Sequence, residues 1–151
     1  MADIQLTCAE LYQGASAGML RQIENLSVDG AKPTRGLKTN EKDWQMHIEG
    51  ALKELAAAKH FGLYFGGKGQ RGDKDFKEFE VRSTEYPNGM LLLTKTDHPD
   101  SFYILVTGLN GAYRVHGGMY GHEAMVDDYW NEEKMDRPCW AVPQKYLREE
   151  K

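Results

Sequence analysis

The sequence predicts an α/β domain, a single mixed β-sheet flanked by helices, and three observations carry that prediction. An apolar stripe at helical spacing runs through residues 44–61 and stops at Gly62. Beyond it the period changes to two, most clearly in "FEVRST", where Phe79 and Val81 alternate with Glu78, Glu80 and Arg82. Last, "FYILVTG" is an unbroken apolar run, as expected of a central strand covered on both faces. At 151 residues, 40% hydrophobic and 28% charged, the chain is sized for one core. We read residues 1–151 as one domain, with a helix and loop over 1–40 packed on a 41–151 α/β core.

The first helix opens with Thr7 and Glu10 in T-x-x-E order, a capping box in which each side chain caps the other residue's free N–H. Leu11, Ala15, Gly18, Met19, Ile23 and Leu26 then recur at helical spacing. Gly14 and Gly18 weaken this helix by about 1 kcal/mol each unless they permit close packing on another helix. "SVDGAKPTRGLKTN" reads as a loop. The second helix, "EKDWQMHIEGALKELAAAKHF", places Trp44, Ile48, Leu52, Leu55 and Ala58 in its buried stripe, with Gly62 as its stop.

After Gly62, "LYF" reads as a short strand and "GGKGQRGDKD" as a glycine-rich charged loop. "YPNG" is a turn leading into the strand "MLLLTK", and "TDHPDS" turns again into "FYILVTG". The expected sheet joins residues 79–84, 90–95, 102–107 and 113–116. "LNG" makes a tight hairpin into "AYRVHG". "HEAMVDDYW" reads as a short helix and "CWAVP" as a last strand.

Several function classes are disfavoured early. No apolar run approaches the roughly 20 residues of a membrane helix, and the N-terminus lacks a signal-peptide pattern. Cys8 and Cys139 have no paired spacing, which suits a reduced, cytoplasmic setting. A net charge of −4 argues against adhesion to nucleic acid over the whole surface, but not against a local basic groove.

The chemistry concentrates around "GDKDFKEFEVRS". Glu80 and Arg82 project from one strand face, and Asp73 and Asp75 lie in the loop just before them. Glu49, beside the buried stripe of the long helix, would meet them if that helix packed on the sheet. Such a cluster suits Mg²⁺ or Mn²⁺, hard cations held by one or two carboxylates with water and phosphate. The plainer readings are an exposed Glu49–Lys53 helix pair and charges that guard an edge strand. Lys68, Arg71 and Lys74 would reach a nucleic-acid backbone, or else belong to a solvated loop. "GGKGQRGDK" does not fit a P-loop. His116 and His122, flanking "GGMYG", read as ordinary surface histidines.

The order of helix acid, loop aspartate and E-x-basic strand resembles the PD-(D/E)XK nuclease superfamily, with its restriction-endonuclease-like core. "MHIEGALKELAAAKHFGLYF", "VRSTEYPNG" and "ILVTG…YRVHG" also look like small phage-encoded proteins. The nuclease resemblance implies metal-dependent hydrolysis of nucleic-acid phosphodiesters. It places the family's aspartate at Asp73 or Asp75, its second acid at Glu80, its lysine at Arg82 and its optional helix acid at Glu49. Arg82 departs from the pattern: a guanidinium stabilises charge but cannot act as a base. The alternative expectation is a catalytically degenerate phage accessory protein that binds DNA or a host protein.

Overall fold

The computed structural model describes residues 1–27, 42–67, 76, 79–132 and 137–149. Its elements are β1 (Ala2–Gln5), α1 (Cys8–Ser27), α2 (Asp43–Phe61), β2 (Glu80–Thr84), β3 (Leu91–Leu93), β4 (Phe102–Leu109), β5 (Ala112–Tyr120), α3 (Gly121–Ala124), β6 (Trp130–Asn131) and β7 (Cys139–Val142). The α/β class holds. A mixed four-stranded sheet runs β1-β5-β4-β2, with β2 parallel to β4 and the other pairs antiparallel.

One expected strand lies elsewhere. Residues 91–93 pair not with the main sheet but with β7, in a second sheet of order β3-β7-β6. The crossover from β2 to the parallel β4 carries β3 out of the main sheet's plane, so the two sheets stack. Among the described residues, "LYF" forms no strand, although Phe65 enters the core. "HEAMVDDYW" holds only the single turn of α3 and a 3₁₀ turn. β1 escaped the sequence reading because four residues are too few to show a period.

Strand β4 divides the interior, as its continuous apolar run predicts. Phe102, Ile104 and Val106 pack with Val81, Val115 and the alanine-rich face of α2. Tyr103 and Leu105 face the other way, onto Leu91, Leu93 and Val142 of the second sheet. The layers are therefore helices, main sheet, small sheet. Asn110 and Gly111 close the β4–β5 hairpin in left-handed conformations, the geometry that Asn-Gly favours.

Helix α1 packs on α2 through its glycines. A Cβ on Gly18 would stand 2.4 Å from the Ile48 Cα, and one on Gly14 would stand 2.7 Å from the Leu52 side chain. Those glycines exist for close approach, which offsets their poor propensity. The buried face of α1 is Gly14, Gly18 and Gln22, so Met19, Ile23 and Leu26 of the expected stripe are exposed instead. In α2, Trp44 is likewise partly exposed, at 41%, and the buried stripe centres on Ala51–Leu52 and Leu55–Ala58. The T-x-x-E capping box forms at α1, and Gly62 ends α2 in the left-handed conformation. Among the described residues, no helix is long and apolar enough to cross a membrane.

Candidate functional site

Strand β2 brings Glu80 and Arg82 together on the face opposite α2. Val81 between them points into the helix-side core, and the two-residue period sends its neighbours the other way. The Arg82 guanidinium donates to Asp97 Oδ1 at 2.7 Å and to Glu80 Oε2 at 3.3 Å. It also lies over the Tyr103 ring, 4.7 Å from the centroid. All three charged side chains of this group are mostly buried.

Sequence reasoning misses Asp97 and Tyr103, because "TDHPDS" reads only as a turn. Asp97 Oδ2 accepts from the Thr94 backbone N–H at 2.8 Å, so its carboxylate both shapes the turn and clamps Arg82. The Tyr103 hydroxyl accepts from the His98 N–H and donates to the His98 carbonyl, tying that turn to β4. Burial, and then the negative charge of Glu80, push the Tyr103 phenol above its usual value. The available signal was the pairing of an aspartate in a tight turn with a lone arginine on an inward strand face.

Glu49 does not join this group. Its carboxylate accepts from the Tyr113 hydroxyl at 2.7 Å and the Asn110 N–H at 3.0 Å, with Lys53 Nζ at 3.7 Å. Asn110 lies seven residues beyond Tyr103 along β4 and the turn, a span of about 20 Å at the usual strand rise. Glu49 also sits on the helix side of the sheet, whereas Glu80 sits on the other. The expected convergence of Glu49 with Glu80 is therefore overturned. The i, i+4 partner Lys53 is present, but buried rather than exposed. Burial pushes the Lys53 ammonium below its usual value, against the pull of Glu49, and it pushes the Tyr113 phenol up, helped by the Glu49 hydrogen bond.

Asp73, Asp75, Lys68, Arg71 and Lys74 lie outside the described residues. Among the described residues, no group of three or more His, Cys, Asp or Glu is placed to hold a metal. Glu49 has both oxygens engaged, and Glu80 stands beside a cation. His116 corrects a further expectation: it is buried, bonded to Thr107 Oγ1 at 2.7 Å, while His122 stays exposed against the Pro99 carbonyl. Comparison with protein-family models, curated proteins and solved structures found no match.

Proposed function

We propose that this chain is a nuclease-like phage protein whose catalytic site is degenerate and which acts by binding nucleic acid. The observation that carries the proposal is Arg82. In the PD-(D/E)XK pattern its position serves the phosphate, but here its guanidinium is held between Asp97 and Glu80 and stacked on Tyr103. Glu49, at the helix-acid position, is spent on anchoring α2 to the β4–β5 hairpin. Two of the four residues that would carry catalysis thus work for the fold. The basic run Lys68, Arg71 and Lys74 supports a backbone contact that tolerates the chain's net charge of −4.

A second reading rests on Glu80. It opens β2 just after the segment that carries Asp75, its bond to Arg82 is the longer of that residue's two carboxylate contacts, and it is the least buried of the three. In that reading Glu80 and Asp75 would hold Mg²⁺ or Mn²⁺, which would supply Lewis-acid chemistry for phosphodiester hydrolysis.

Fluorescence anisotropy with labelled DNA and RNA across a salt series tests the leading reading. Binding should weaken as salt rises, and replacing Lys68, Arg71 and Lys74 by alanine should flatten the slope by about 0.7–0.9 per lost phosphate contact. Cleavage that disappears in Glu80→Gln would establish the second reading instead. Failure to bind either nucleic acid would leave a host protein as the partner class.

A further inference from the structure

We propose that α1 is the seam of a homodimer, in which two copies of the chain pair their first helices antiparallel. The outward face of α1 is the wrong kind of surface for a monomer. Tyr12, Met19, Leu20, Ile23 and Leu26 are all exposed, Tyr12 at 79% and Leu26 at 65%. At about 100° per residue they fall, with the small residues between them, in one uncharged sector roughly 140° wide. In this 20-residue helix the charged residues are Glu10, Arg21 and Glu24. Glu10 turns inward to Lys59, and Arg21 turns inward to Glu54. Glu24 stays exposed at the rim of that sector, beside Leu20, so the apolar residues form a stripe with a charged flank, the pattern of a helix that pairs with another.

Area and shape point to a second copy as the cover. The exposed apolar side chains amount to roughly 500 Å² per copy, so two copies would bury about 1,000 Å², the lower bound of a specific interface. The face also complements itself. With Ala9, Ser16 and Ile23 as one heptad position and Tyr12, Met19 and Leu26 as the other, an antiparallel pairing sets Ala9 against Leu26 of the other copy. The same register sets Ser16 against Met19, and Tyr12 against Ile23, so two of the three pairs match a small residue to a large one. The contact is isologous and closes as a two-fold dimer. The chain between the helices, 28–41, offers only Val28 and Leu37 as large apolar residues, too few to cover five.

Sedimentation equilibrium on the full chain tests the proposal. The expected mass is twice 17.2 kDa, with a melting temperature that rises with protein concentration. Met19→Glu/Ile23→Glu should sediment as a monomer with an unchanged circular dichroism spectrum, since both positions are exposed in the single chain. In a Cys8→Ser background, Ala9→Cys/Leu26→Cys should cross-link into dimers on mild oxidation. Wild-type Cys8, about 28 Å from its counterpart in this register, should not cross-link. A monomeric wild type at 100 µM, a dimer indifferent to the double glutamate variant, or efficient Cys8–Cys8 linkage would each overturn the proposal.

Discussion

Glu49→Gln separates an anchoring role from a catalytic one, because the substitution keeps shape and removes charge. In the wild type the buried carboxylate accepts two hydrogen bonds that tie α2 to the hairpin, and it faces Lys53, itself 4% exposed. A hydrogen bond to a charged group contributes about 1.5–3 kcal/mol and a neutral one about 1, so weakening two loses roughly 1–2 kcal/mol. Breaking a buried pair by removing one partner costs up to about 3–5 kcal/mol. Burial already disfavours the Lys53 charge, so the loss falls toward the lower end of that range. The expected total is about 2–4 kcal/mol, a large share of a stability of about 5–15. For a domain of this size it lowers the melting temperature by roughly 5–15 °C. Urea titration with fluorescence and circular dichroism measures it. Adding Lys53→Met to Glu49→Gln should recover part of the loss, since the orphaned cation is then gone. A Glu49→Gln protein within about 0.5 kcal/mol of wild type would refute the anchoring argument.

The helix contact makes opposite predictions for two glycines. Gly18→Ala drives its Cβ into the Ile48 and His47 backbone and should destabilise by about 2 kcal/mol or more, whereas Gly50→Ala, with nothing within 4 Å, should stabilise by up to about 1 kcal/mol. Thermal melts of both single variants decide this. His116 gives a pH prediction. Burial, with the Arg114 charge adding to it, holds its imidazole below the ordinary value, so the unfolded chain takes the proton first. Stability should be full above pH 6.5 or so and decline as pH falls from there. His116→Gln should flatten that decline below about pH 6.5, leaving the residual slope of His47, which is shifted the same way by burial. An unchanged slope would show that His116 is not the titrating group.

The helices, the hairpin and the two-faced central strand were legible because each has its own local cause. The capping box, the Gly62 stop, the Asn-Gly turn and the apolar run of 102–106 are all written within a few residues. The sheet to which residues 91–93 belong was not legible, since strand partnership is decided by distant residues such as Ala141 and Val142. The outward face of α1 misled because a helical period states that a stripe exists, not which side is covered; the glycines carried that information. At the site, the neighbourhood of Glu80 and Arg82 followed from strand alternation. Asp97 arrived from a turn fifteen residues away, and the register of β4 carried Glu49 to the far end of the sheet.

On the proposed reading, Glu80, Arg82 and Asp97 brace the fold rather than hold a catalytic metal ion. Thermal melts of wild type and Glu80→Gln, with and without Mg²⁺ or Mn²⁺, test it most directly. Neither metal should move the wild-type melting temperature, and Glu80→Gln should be mildly destabilising because Arg82 loses one of its two carboxylates. A wild-type gain approaching about 2.7 kcal/mol at a hundredfold excess of metal over its dissociation constant, absent in Glu80→Gln, would contradict it.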